Sequence, residues 1–378
     1  MVTPASHRRR GLPRMVARGL DPRILLLEGR AFFALIAIIV VFSSLSPNYL
    51  TVSNVLQMSS HVAVFAILAV GMLMVILNGG IDLSVGSTLG LSGVVAGFLM
   101  QGVRLPVFGV TLFPAVWVVV VVTLAAGALI GLVNGVLVAR FNVAPFVATL
   151  GMLYVVRGAA ELITNGVTYS NLAGKPDLGN TGFNWLGFSS LLGIPIGVLV
   201  MIVIAIAGSI ALTRRVFGRW LYASGGNERA AELSGIPVKR VQIRVYVLSG
   251  LCASVAGLIT ASELTSAGPT AGNSFELTAI AAVVIGGAAL SGGRGNIRGT
   301  MLGAFVIGFL SDGLVIVGVS AYWQTVFTGA VIVLAVLLNA VQYRGRKRGR
   351  RAEPGGPPET GQDAPGARDV PALEKTPN

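Results

Sequence analysis

The sequence predicts an all-α, polytopic membrane bundle of about ten spans with both ends of the chain on the cytoplasmic side. Three observations predict it. Of 378 residues, 54% are hydrophobic and only 11% charged, whereas soluble domains carry about 25% charged residues. Apolar runs such as 113–138, FPAVWVVVVVTLAAGALIGLVNGVLV, exceed the roughly 20 residues needed to cross a bilayer core. Arginine clusters recur on what alternation makes the inner side of those runs, as positive-inside topology requires. No segment alternates apolar and polar residues as outer-membrane strands do.

Taken in order, the first span runs about 31–47 and ends at SPNYL, where Pro47 and Asn48 mark an outer turn. The second (about 55–77) returns inward, the third (about 84–101) leaves, and the fourth (about 113–138) comes back to Arg140. The fifth (about 145–164) leads to a polar external loop, 165–188, and the sixth (about 190–212) delivers the chain to RRVFGRW. The seventh (about 241–262) exits to ELTSAGPTAGNSFE, and the eighth (about 277–290) re-enters and stops at SGGRGNIR. The ninth (about 299–319) and tenth (about 324–341) complete the circuit. Arg104 and Lys175 are outward exceptions, and Arg157 falls within a span.

The net charge of +13 is concentrated at the flanks. Residues 1–30 carry seven arginines and form a basic cytoplasmic segment, 31–342 the transmembrane domain, and 343–378 a tail that begins basic and continues as disordered Pro- and Gly-rich sequence. Because each basic run adjoins a span, topology explains it better than nucleic-acid binding. The arginines at 8–10 lack a following export-type apolar region until residue 31, which excludes a cleaved signal. Cys252 is the only cysteine, so the chain has no intrachain disulfide, and with His7 and His61 the only histidines no conventional metal site is expected. Many of the 50 glycines lie within spans, where small residues let helix backbones approach closely.

No catalytic site is visible, so the chain reads as a non-enzyme without a cofactor of its own. GGRGN at 292–296 is glycine-rich but lacks the Lys-Ser/Thr of a phosphate-binding loop, and no GxxxxGK[ST] occurs. The informative stretch is GRWLYASGGNERAAELSGIPVKRVQIRVYVLSG, 218–250. Asn227 suits a helix N-cap, Glu228 complements the helix dipole, Ala230 and Ala231 favour helix, and Gly235 followed by Pro237 ends it. A short, sharply ended cytoplasmic helix is shaped for docking into a partner's groove.

With its AA-x3-G spacing at Ala230, Ala231 and Gly235, this segment resembles the coupling segment of ABC-transporter permeases. NGGIDLSVGST, NVAPFVATLGMLYVVRGAA and LTAIAAVVIGGAALSGGRGNIRGTMLGA are similar to the ribose/xylose/galactose-type permease subunits of bacterial importers, in the same order and over about 31–341. The broader coupling motif ends in I-x-L-P, where this chain has RVYVLSG; the departure points to the sugar-type branch. The resemblance implies an inner-membrane subunit that performs no chemistry itself. It pairs with a second permease copy, in a homodimer, and works with a cytoplasmic ATPase that binds ATP and Mg and a secreted sugar-binding protein. Gly226, Asn227, Glu228, Arg229, Ala230, Ala231, Glu232 and Gly235 would form the ATPase-docking element.

Candidates to face a pathway or gate are Asn78, Asp82, Asn134, Phe146 and Thr149. For Asn134 and Thr149 an interhelical hydrogen bond, worth about 1 kcal/mol or less, is the favoured expectation over a pathway role. Asp82, in NGGIDLSVGST, is expected at a helix break near the inner boundary, where it or Ser84 caps the following helix. A secondary transporter would instead use Asp82 as an intramembrane carboxylate, and a channel would show a filter-like repeat, which is missing here.

Overall fold

The computed structural model describes residues 29–334 and 337. They fall in the first of two compact units, Met1–Asn339; the second, Ala340–Asn378, lies outside the described residues. So do residues 1–28 of the basic segment and the whole 343–378 tail. The helices are α1 Arg30–Leu45, α2 Val52–Leu77, α3 Val85–Gln101, α4 Val116–Phe141, α5 Pro145–Thr164, α6 Trp185–Phe188 and α7 Ile196–Thr213. After these come α8 Val216–Gly226, α9 Glu228–Leu233, α10 Val238–Glu263, α11 Phe275–Ile285, α12 Ile297–Ile316 and α13 Ala321–Leu334. Among the described residues six are long and apolar enough to cross a membrane: α2, α4, α5, α7, α10 and α12. The apolar helices α1, α3, α11 and α13 are shorter.

The core forms around α2, which is buried from Val62 to Leu77 except at Phe65. It packs against α7, α10, α11 and α12. The closest pair is α4 with α10. Gly127, Gly131 and Gly135 stand one turn apart on α4, so the α10 backbone comes directly against them: a methyl group on Gly127 would overlap Ser254 Oγ, and one on Gly131 would overlap the Tyr246 carbonyl. In lipid, this close backbone packing replaces the hydrophobic drive that joins helices in water.

The eighth predicted span differs. Its helix, α11, ends at Ile285 rather than 290 and has 11 residues, about 16 Å of rise against a roughly 30 Å hydrocarbon core. The rest of the passage is non-helical chain. Residues 266–274 run back along α3: Gly97 meets Ala267, Gly90 meets Pro269 and Ala271, and Gly86 meets Gly272. Hydropathy alone could not see this descent, because PTAGNS reads as an external loop. The sixth span also starts later than expected, since 190–191 and 194–195 form a two-stranded hairpin before α7. The 165–188 loop is tied down by antiparallel pairing of Tyr169 with Ala267 and Ser170 with Ser266.

Alternate connections gather at opposite ends of the bundle. At one end Asn180 Nδ2 donates to Met100 O (3.0 Å) and Ser262 Oγ to Phe183 O (2.8 Å). At the other, Gly293 N donates to Leu77 O (2.9 Å) and Tyr222 Oη to Gly295 O (2.7 Å). This is the up-and-down order that alternating spans produce.

The α4–α10 contact makes a direct prediction. Gly131→Leu should lower the melting temperature of the detergent-solubilised chain by several degrees, while Gly151→Leu, on an open face of α5, should leave it within about a degree. Equal stability of the two variants in a thermal melt would contradict the packing.

Candidate functional site

The 218–240 segment folds as its residues predict. Asn227 is extended (φ −159°, ψ 102°) and its Oδ1 accepts from Ala230 N at 3.0 Å, capping α9. Gly235 takes φ +80°, a left-handed value that glycine adopts without steric cost. Its N–H donates to Glu232 O, and the Ile236 N–H to Ala231 O (3.1 Å), closing the helix's last carbonyls. Ala231 is buried, whereas Glu228, Arg229, Ala230, Glu232, Leu233 and Gly235 are exposed. Glu228 accepts from Gln242 Nε2 (3.0 Å), tethering α9 to α10, and Arg229 lies 3.7 Å from Glu232 across one turn. Because that pair is exposed, it adds little stability.

Gly226, counted with the docking element, closes α8 rather than belonging to α9. It sits in a backbone junction that the sequence did not reveal. A Cβ on Gly225 would overlap Leu77 O, the end of α2, and one on Gly293 would stand 2.9 Å from Gly226 Cα. Ser224 Oγ reaches Asn78 Oδ1 at 3.3 Å, so half-buried Asn78 belongs to this junction. Tyr222 completes it through Gly295, and burial raises its phenol above the usual range, keeping it a donor. The C-terminus of α8, which leads through Asn227 straight into exposed α9, is therefore seated directly on the α2 terminus.

Immediately beyond that terminus lies Asp82, buried at 2% exposure. Its Oδ1 accepts from Ser84 N (3.0 Å) and Ser84 Oγ (2.6 Å), and its Oδ2 from Ser249 Oγ of α10 (2.9 Å). Ser84 Oγ in turn accepts from Asn134 Nδ2 of α4 (2.9 Å). Thr149 Oγ1 of α5 reaches Ile81 O at 3.0 Å. Asn78 and Asp82 lie in one turn, 78–84, and Asn134 and Thr149 reach it from α4 and α5, so four of the five candidate residues converge there. Phe146 does not join them; it is 54% exposed on the surface of α5. Ser84 occupies the N-cap position of α3 without making a side-chain cap bond; Asp82 serves the turn instead. Ser249 was not anticipated, since 167 residues separate it from its partner.

A second ionisable group, half-buried Arg157, supports the broken passage. Arg157 Nη1 of α5 donates to Pro269 O and to Ala271 O (2.8 Å), carbonyls left without helical partners. Glu276, at the start of α11, lies against Gly86 and near enough to Arg157 to act on it electrostatically. Among the described residues no group of His, Cys, Asp and Glu could hold a metal ion.

These features, an exposed capped helix joined to a broken-helix bundle, frame the comparison with known proteins. The family described as "Branched-chain amino acid transport system / permease component" matches residues 54–336. The chain belongs to this permease family. The permease is 44% identical over 315 residues to the ribose import permease protein RbsC of Escherichia coli strain K12, covering 83% of this chain and 94% of the relative. It is 43% identical to the ribose import permease protein RbsC of Bacillus subtilis strain 168, over 82% and 91%. Identity to the xylose transport system permease protein XylH of E. coli K12 is 34%, again over 82% and 91%. No solved structure matches the permease.

The Asp82 geometry distinguishes two substitutions. Asp82→Asn keeps one carbonyl oxygen for Ser84, so it should fold and retain most transport. Asp82→Leu strands the Ser84 N–H and two hydroxyls, at about 1–3 kcal/mol for each buried group. Thermal melts and uptake assays on both variants check this; loss of uptake in a normally folded Asp82→Asn protein would assign the charge a direct role.

Proposed function

We propose that the chain is the membrane-spanning subunit of an ATP-driven ABC importer and carries a monosaccharide, a pentose or hexose. It is a multi-pass protein of the bacterial cytoplasmic membrane, crossing about ten times with both termini inside. The observation that carries the reading is the junction of the α8 C-terminus, from which exposed α9 continues, with the α2 terminus. A solvent-exposed helix capped at both ends has no fold-stabilising need for Leu233 to stand 76% exposed at its tip; a partner ATPase's groove gives that side chain a place. The family description names branched-chain amino acids, whereas the named relatives, at up to 44% identity, are ribose and xylose permeases. Identity extending over nearly the whole relative outweighs a broad family description, so sugar is the favoured cargo.

In this reading ATP and Mg reside in the partner ATPase, and an extracytoplasmic binding protein delivers the sugar. A second copy of this chain completes the pathway, and lipid surrounds the rest. Movement of α9 is passed through Gly225 and Gly226 to Leu77, since backbone in contact with backbone leaves no side chain to absorb the displacement. Leu77 leads into the 78–84 turn, Asp82 ties that turn to α10, and Asn134 ties it to α4 through Ser84. A secondary transporter fits less well. A proton relay needs a carboxylate free to exchange its proton, whereas Asp82 is enclosed by its three donors.

Two measurements test the assignment. The chain should co-purify with an ATPase encoded beside it, and vesicles holding the complex should take up a sugar from a panel only with ATP. Leu233→Glu, at the exposed tip of α9, should leave folding intact yet uncouple hydrolysis from transport. Wild-type substrate-stimulated ATPase activity in that variant would remove the coupling role from α9.

A further inference from the structure

At the end of the bundle opposite α9, three ionisable side chains from three helices meet. His61 of α2 places Nδ1 3.1 Å from Asp312 Oδ1 of α12 and Nε2 4.0 Å from Glu263 Oε1 of α10. Side-chain exposures are 42% for His61, 27% for Glu263 and 17% for Asp312, so the cluster is open on one side. Ionisable groups at membrane depth are costly when they face lipid, and accordingly they face water-filled space or protein. The cluster therefore marks the polar side of an otherwise apolar surface.

Its hydrogen bonding is incomplete. Asp312 Oδ2 is buried with no partner among the described residues. Glu263, at 4.0 Å, stands beyond hydrogen-bond reach of the imidazole. Acceptor oxygens thus outnumber the donors that face them, which a structural ion pair alone would not leave. One turn further along α2 on the same face, Phe65 meets Phe275 with ring centroids 4.8 Å apart and planes at 62°. Phe275 opens α11, where the non-helical descent along α3 becomes helix. Acceptors above and aromatic faces below, beside a helix break, are a combination suited to a small polyhydroxylated molecule. Its hydroxyls donate to carboxylates, and its C–H face packs on rings. Without a metal-holding group there, a cation is the poorer fit.

We infer that His61, Glu263 and Asp312, with Phe65 and Phe275, form a sugar subsite on the outer half of the translocation pathway, which a monosaccharide occupies after leaving its binding protein. The inference rests on the sugar-permease reading and adds residues to it.

The test uses the full complex of permease, ATPase and binding protein in proteoliposomes, with D-ribose, D-xylose, D-galactose and D-glucose as probes. Wild-type uptake comes first: ATP-driven import of none of the four would count against the parent reading, and the subsite is then examined with whichever sugar enters. In a Cys252→Ala background, His61→Cys should react from the outer side with a charged, membrane-impermeant methanethiosulfonate, and that sugar should slow the reaction at least threefold. Asp312→Asn, nearly isosteric, should cut uptake at saturating loaded binding protein at least fivefold, with basal ATPase activity within twofold of wild type and normal complex assembly. Where the wild type imports sugar, three results would each overturn the subsite and leave the permease reading standing. They are an unreactive Cys at position 61, labelling that no imported sugar slows, and wild-type uptake by Asp312→Asn.

Discussion

Backbone N–H and C=O groups inside a bilayer have no water to turn to, so every departure from helix at depth must be satisfied by protein. This constraint organises the molecule. The chain breaks helix within the bundle at 78–84 and again at 266–274, and an ionisable side chain holds each, buried Asp82 the first and half-buried Arg157 the second. Asp82 accepts from the first turn, and Arg157 donates to the carbonyls of the second. Neither residue needs to touch cargo to be indispensable. Both breaks flank α3, whose small residues admit non-helical chain on one side, while Ser92 bonds Ser254 of α10 on another.

The 78–84 turn adjoins the glycine junction at the end of α8, the end proposed to meet the ATPase. The 266–274 descent begins near Glu263, at the opposite end of the bundle, and runs along α3 until Gly272 lies against Gly86. α2 spans the distance between them, carrying His61 and Phe65 toward one end and Leu77 at the other. Because α2 is buried along most of its length, a shift at Leu77 displaces packed neighbours rather than bending into solvent.

How far the fold was legible in the sequence depended on the range of the interactions. The α9 helix was legible because its caps are local: Asn227 bonds a residue three positions on, and Gly235 supplies its own φ. Long apolar runs located α2, α4, α5, α10 and α12 closely. The α11 passage was misread, since hydropathy continues through GGAAL after the helix ends and falls in PTAGNS although that segment lies against α3. Of the Asp82 site, the helix break was readable, and Asn134 and Thr149 were among the candidates, but neither Ser84 nor Asp82 makes the expected side-chain cap on α3. Ser249 and the Gly225–Leu77 contact were not readable, because only tertiary packing joins residues so distant in the chain. The outer cluster escaped for the same reason: two histidines looked too few for a metal site, and nothing in the sequence placed Glu263 and Asp312 beside one of them.

The central claim is that motion of α9 reaches the Asp82 turn through a rigid backbone junction. Hydrogen exchange of the assembled complex, compared with and without a non-hydrolysable ATP analogue, tests it most directly. The account predicts that protection changes together in peptides covering 225–235 and 78–84. A change confined to 225–235, with 78–84 untouched, would contradict it.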